Sequence, residues 1–364
     1  MSEMTSRQRI KVALRRGVPD RVPMLDTTFW PDTIDRWHQE GLPLGMHPCD
    51  YLDMDFITQF PFDTTLRLPT RTIEETDEWV ISTDSNGATR QRWKHRYAPP
   101  GHTEPSVHGR SDWERVKGNL KPDPSRLVED VNGARFDNQI QIFRLRERMG
   151  AYRIIRPNDP VWFTLMMMGF EEALMMFGSD PDLAEEIFDT YTDFSLAMCE
   201  MAVDRGLEFD GMWVFSDLCY RNGMLYSPRF YRERILRYHR KYADFCHERG
   251  WELLIHCDGY VGEFIPLLLE AGFDCIQPLE ARAGNDVREY KRLYGRRIAF
   301  FGNVSADVMA RSKEEIREEV ASKLAVAKEG GGYLYHSDHS INPLISFENY
   351  RYTIQLVKEL APYD

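Results

Sequence analysis

Hydrophobic and polar positions change their rhythm near residue 150. Beyond that point short β-prone runs alternate with helical patterns. YRIIR (152–156), DGMWVF (210–215), ELLIH (252–256), DCIQPL (274–279), RIAFFG (297–302) and GYLYH (332–336) read as strands. Between them lie helical patterns at 180–205, 229–249, 260–271, 284–294 and 312–329. Repeated strand–helix units at this spacing predict parallel strands joined by crossover helices. Before residue 150 the pattern is less regular. Residues 5–17 predict a helix, with Thr5 or Ser6 as cap and Ile10, Val12, Ala13 and Leu14 as its apolar stripe. Pro19 and Asp20 end it, and VPML (22–25) follows as a short strand. Residues 26–60 predict a long functional loop with short helices. The runs EWVISTD and ATRQRWK flank Ser85-Asn86-Gly87 and predict a hairpin over 78–95. Residues 98–125 are rich in Pro, Gly and charge, and predict a connection over the surface.

A chain of 364 residues suits one large α/β barrel or two ordinary domains. The strand–helix repeat favours an α/β fold of the (β/α)8 TIM-barrel type. The expected layout is a single domain over 1–364: an N-terminal extension with the first barrel elements and the hairpin (1–125), then the main barrel (126–364). A doubly wound sheet is the alternative, but no GxGxxG loop is present to support it.

Composition excludes several classes. The formal net charge of −12 argues against a nucleic-acid binder. Arg232, Arg234, Arg237, Arg240 and Lys241 sit among apolar residues at helical spacing, the pattern of a solvated helix face. Six cysteines spread without a CxxC predict reduced thiols and a cytoplasmic protein. The charged N-terminus lacks the apolar core of a signal peptide, and no apolar run is long enough for a membrane span.

In a parallel barrel, chemistry gathers where strands end. Asp217 follows the 210–215 run, His256-Cys257-Asp258-Gly259 closes the next, and Glu280 and Asn303 follow the next two. The last run delivers His336-Ser337-Asp338-His339. Metal ligation is the most economical use of such a set, since imidazole and carboxylate both bind Zn2+. An acid–base constellation without metal is the second reading, and capping or turn residues the third. His336 and Asp338 share strand parity; a turn after His336 would free His339 to swing inward. Strand alternation turns Cys257 away from the face of His256. The Met-rich stretch 164–177 reads as core packing or as an adaptable apolar wall.

A family resemblance is visible in RQRIKVALRRGVPDRVPM near the start, SDLCYRNGMLYSPRFY (216–231), HCDGYVGEFIPLLLEAGFDCIQPLE (256–280), GRRIAFFGNVS (295–305) and GGGYLYHSDHSINPLISFENY (330–350). In order and spacing these blocks resemble the uroporphyrinogen decarboxylase-like proteins. The resemblance implies a (β/α)8 barrel. Decarboxylases of that family carry an Arg-rich RQAGR-type motif near the N-terminus. Here the region reads TTFWPDTIDRWHQEG (27–41), which argues against porphyrinogen decarboxylation. The other branch holds zinc-dependent methyltransferases that work with corrinoid proteins and carry an HxCG-type zinc motif, a later Glu and a late third ligand.

On that pattern His256 and Glu280 are expected metal ligands, with His336, Asp338 and His339 supplying the late one. Asp258 stands where the family has Cys, so a thiolate-rich site becomes a nitrogen/oxygen site. Such a metal is a stronger Lewis acid, suited to cleaving a methyl ether. The resemblance therefore implies Zn2+, a small methoxylated methyl donor, a corrinoid (methylcobalamin) carried by a partner protein, and a family-like homodimer. Asp217, Asp258 and Asn303 are the expected catalytic residues. Asp26, Phe29, Trp30 and Tyr220 are expected to bind substrate; the alternative for Phe29 and Trp30, which follow the first strand, is a cover over the barrel mouth. A metal-independent decarboxylase or lyase and a non-catalytic binding barrel are the alternatives.

Overall fold

The computed structural model describes residues 3–95, 98, 101–130 and 133–363. Seven parallel strands lie side by side in chain order: Ile57–Phe60, Tyr152–Ile155, Gly211–Phe215, Glu252–Cys257, Cys275–Pro278, Ala299–Phe301 and Tyr333–Leu334. Residues 22–25 fill the eighth position. Met24 bridges Tyr335 in the parallel sense. Tyr335 N–H donates to Pro23 O at 2.8 Å, and on the other side Asp55 N–H donates to Met24 O at 2.9 Å. The curled sheet thus closes as a TIM-type barrel. VPML makes only this bridge and no longer ladder; Pro23 has no N–H to extend it.

Side chains alternate across each strand. Ile154, Trp213, Leu254, Cys275, Phe301 and Leu334 point inward and pack together. Ile155, Val214, Ile255, Ile276, Phe300 and Tyr333 belong to the larger core formed with the helices. Cys257 joins that outer core, as the alternation predicts. The helix Ser6–Leu14 opens with a Thr5/Gln8 capping box. It plugs the barrel at the strands' N-terminal ends, where Ile10, Ala13 and Leu14 enter the inner cluster. Arg15 pairs with Glu252, the first residue of its strand, at 2.5 Å. Chemistry is left to the opposite end.

The hairpin forms as expected, with Trp79–Thr83 paired to Thr89–Trp93 and Gly87 at φ 82° in its turn. It grows into a four-stranded antiparallel sheet with Thr72–Glu75 and Gly101–Glu104. The expected connection over 98–125 therefore contains a strand, and also the helix Arg110–Val116. The long loop expected over 26–60 holds helices Pro31–Gln39 and Pro48–Tyr51 and ends in the barrel strand Ile57–Phe60. The basic face at 232–241 is a surface of ion pairs: Arg232 with Glu270, Arg234 with Glu185 and Lys241 with Asp193. All six cysteines are buried and unbridged. Among the described residues no single helix is long and apolar enough to cross a membrane.

Candidate active site

The inward parity of the strands continues into the site. Two residues beyond Ile154, Trp213, Leu254, Cys275 and Leu334 come Arg156, Phe215, His256, Gln277 and His336. All five line a cavity of about 750 Å3. Trp30 comes from the loop after residues 22–25. Trp162 and Met166 lie on the helix Pro160–Met168, and Phe170 opens the next. Asp84 and Arg90 of the hairpin also reach it. Arg90 is held there by Asp84 at 2.8 Å and by Met166 O at 2.9 Å.

His256 is the centre of the polar wall. Its ring stacks on Phe215 with centroids 4.8 Å apart and planes 8° off parallel. Nδ1 lies 2.5 Å from Gln277 Oε1. An amide oxygen only accepts, so Nδ1 carries the proton and Nε2 keeps its lone pair. This tautomer follows from the hydrogen-bond network. Nε2 lies 3.6 Å from Asp217 Oδ1 and 3.9 Å from Asp258 Oδ2. One donor atom from each of the three residues falls within 4.8 Å of the other two. His339 Nε2 is 3.8 Å from Asp258 Oδ2.

Electrostatics set these groups apart. Burial, reinforced by the Asp258 charge, pushes the Asp217 carboxyl up to about 8. Burial also pushes Asp258 up, to about 6, with His339 opposing and Glu280 adding to it. Burial and the Arg156 cation push His256 down to about 3. The imidazole is therefore neutral across the physiological range. Asp258 Oδ1 is buried without a hydrogen-bond partner among the described residues.

The remaining expected ligands hold the loops in place. Glu280 accepts Gly259 N–H at 2.8 Å through Oε2, and its other oxygen pairs with Arg282. Asp338 accepts Ala281 N–H at 2.9 Å and Ala306 N–H at 2.7 Å. His336 lines the cavity, but its Nε2 accepts Thr27 N–H at 3.2 Å and its Nδ1 bonds Ser337 O. The strand stops at Leu334, and parity holds as far as His336 and lapses beyond it. His336 and His339 both line the cavity, while Asp338 serves the backbone of two neighbouring loops.

Asn303, at φ 98°, joins loops as well. Its amide accepts Val287 N–H at 3.0 Å and donates to Asn285 O at 3.1 Å. Asp26 accepts from Ser337 N–H at 2.8 Å and from Tyr350 O–H at 2.8 Å. Phe29 packs edge-on against Trp37, His47 and Tyr350. Tyr220 is 48% exposed and absent from the cavity lining. Of the four residues expected to bind substrate, Trp30 alone lines the cavity.

Gln277 and Arg156 are site residues that the sequence reading passed over. Their signal was the period-two alternation. Once His256 is taken as inward-facing, Cys275 and Gln277 share its face by register, as Ile154 and Arg156 do on their own strand.

Fold and site together define a (β/α)8-barrel protein with a carboxylate–imidazole cluster at the C-terminal ends of its strands. The chain belongs to the uroporphyrinogen decarboxylase (URO-D) family, whose model matches residues 160–360. It is 26% identical over 197 residues to a uroporphyrinogen decarboxylase of Hydrogenovibrio crunogenus, a match covering 53% of each chain. It is 25% identical over 258 residues to that of Psychromonas ingrahamii, covering 67% of this chain and 68% of the relative. The matches thus span about half to two thirds of these relatives' lengths. Among solved structures, a methyltransferase from Methanosarcina mazei has a similar fold, with TM-score 0.66, 17% identity, and coverage of 98% of this chain and 99% of that one.

Proposed function

We propose that the protein is a metal-dependent methyltransferase that moves a methyl group between a small methoxylated molecule and a corrinoid carried by a partner protein. The observation that carries this reading is the convergence of one neutral imidazole and two carboxylates within 4.8 Å in an aromatic-walled cavity. The donor set fits a zinc ion. It is all nitrogen and oxygen, it leaves an open position, and it includes the orphaned Asp258 Oδ1. Asp217, His256 and Asp258 would hold the metal. When bound, it supplies Lewis acidity at the ether oxygen of the substrate.

The chain's own residues do the rest. Gln277 holds the His256 tautomer, so that Nε2 presents a lone pair. The Gln277 amide sits 3.5 Å from His336 Nε2, which Thr27 anchors in turn. His339 stands beside Asp258 at the cavity wall and is placed to give a proton to the departing oxygen. Trp30, Trp162 and Phe170 offer flat apolar faces to an aromatic ring. The Met-rich stretch adds Met166 to that wall.

A lyase reading draws on one observation. Asp217, protonated near neutrality, is a proton donor of the kind that decarboxylation needs. The two readings separate in one assay. Zinc-loaded protein is mixed with a panel of methoxyarenes and cob(I)alamin, and methylcobalamin is followed by its absorbance. Methylcobalamin formation that stops with His256→Ala is expected. Metal-independent release of carbon dioxide, with no methylcobalamin, would overturn the methyltransferase reading.

A further inference from the structure

The cavity contains an arginine without an acidic partner. Elsewhere, buried arginines are matched by carboxylates: Arg9 by Asp20 and Asp55, Arg126 by Asp63, Arg153 by Asp210. Arg90, the other arginine lining the cavity, is taken by Asp84. Arg156 differs from all of them. Among the described residues it makes no ion pair within 4.0 Å. Its one hydrogen bond runs from Nη1 to the neutral Gln59 Oε1 at 3.3 Å, and its Nε is buried without a partner. The guanidinium lies over the rings of Phe215 and Trp213, 4.7 and 5.4 Å from their centroids. The ring contacts leave Nε without a hydrogen-bond partner among the described residues. A half-buried cation in this condition lowers its cost by meeting an anion; among the described residues no carboxylate comes within 4.0 Å, and Asp217 acts on it only at longer range.

The Phe215 ring lies 4.7 Å from the guanidinium carbon and 4.8 Å from the His256 ring centre, so guanidinium and imidazole are at most about 9.5 Å apart. Both line the same cavity, where Trp30, Trp162 and Phe215 supply aromatic walls.

We propose that Arg156 anchors a carboxylate of the substrate, so that the methyl donor is a methoxylated aromatic acid whose ether end reaches the His256 cluster. A lone guanidinium presents a two-pronged edge that matches a carboxylate. This assignment rests on the methyltransferase reading for the ether end, and on Arg156 alone for the acid end.

Calorimetric titration of zinc-loaded protein with 4-methoxybenzoate, 4-methoxybenzamide and inorganic phosphate tests it. The wild type is expected to bind the acid about 10- to 100-fold more tightly than the amide, the range of one charge-assisted hydrogen bond. Arg156→Gln should erase that preference while binding the amide like the wild type, and Arg156→Lys should restore part of it. Equal affinity for acid and amide in the wild type, or a preference that survives Arg156→Gln, would overturn the proposal. So would binding of neither compound, or phosphate binding more tightly than the acid. Failure of the methyltransferase reading is distinguishable. An acid preference lost with Arg156→Gln but accompanied by no methylcobalamin keeps the anchor and removes the methyl transfer. Transfer from acid and amide at equal kcat/KM does the reverse.

Discussion

Gln277→Leu tests the wiring of the site in a single step. Gln277 is 3% exposed and its Oε1 is the acceptor for His256 Nδ1–H. Leucine has a similar volume and no acceptor, so the packing survives while the imidazole loses the bond that selects its tautomer. Loss of such a supporting hydrogen bond lowers metal affinity about 10- to 100-fold. That corresponds to about 1.4 to 2.7 kcal/mol. The orphaned Nδ1–H adds a loss of folding stability of about 1 to 3 kcal/mol. Competition between the protein and a chromophoric chelator for Zn2+ reads the first quantity, and urea unfolding of the metal-free protein reads the second. Gln277→Glu, which keeps an acceptor at the same place, should retain most of the affinity. A zinc Kd within about twofold of the wild type for Gln277→Leu would refute the wiring, since His256 would then need no support. A stability loss without an affinity loss would make Gln277 a packing residue only.

Two further predictions concern the buried titratable groups. Asp217 is raised to about 8, so the folded state holds its proton more tightly than the unfolded chain does, and its contribution makes stability fall as pH rises toward 8. His256, lowered to about 3, acts oppositely, but only below the ordinary histidine value near 6.5. Between about pH 6.5 and 8 the Asp217 slope therefore stands without that opposition. Asp217→Asn should flatten stability against pH there in metal-free protein, and an unchanged slope in urea titrations would contradict the assignment. Beneath the cavity wall, the fully buried His239 joins Asp159 at 2.5 Å and Tyr231 at 2.7 Å. Asp159 also caps the helix that carries Trp162. His239→Leu should cost about 1 to 3 kcal/mol by leaving the buried Asp159 Oδ2 and Tyr231 hydroxyl without their partner. A loss under about 1 kcal/mol in urea unfolding would show that the pair is not stabilising.

The barrel was legible because its strands are apolar on both faces and its helices are long. DGMWVF and ELLIH became Gly211–Phe215 and Glu252–Cys257 within a residue at each end. Ile57–Phe60 was hidden, since ITQF carries too few apolar positions to stand out from its Pro- and Asp-rich surroundings. His256, Asp217 and Asp258 were visible as polar residues at strand ends, and the structure brings all three together. What spacing could not convey is how carboxylates divide their labour. Glu280 and Asp338 follow strands just as Asp217 does, yet their oxygens meet the backbone N–H groups of Gly259, Ala281 and Ala306. That choice depends on how one loop lies against the next, which no single segment encodes. Tyr220 was expected to bind substrate. The two-stranded turn Cys219–Tyr220/Gly223–Met224 carries it outward instead.

X-ray absorption at the zinc edge of the metal-loaded protein is the most direct test of the central claim. The account predicts a nitrogen/oxygen shell at about 2.0 to 2.2 Å, lost together with the bound zinc in His256→Ala. A sulfur shell at about 2.3 Å, or a zinc signal that His256→Ala leaves unchanged, would contradict it.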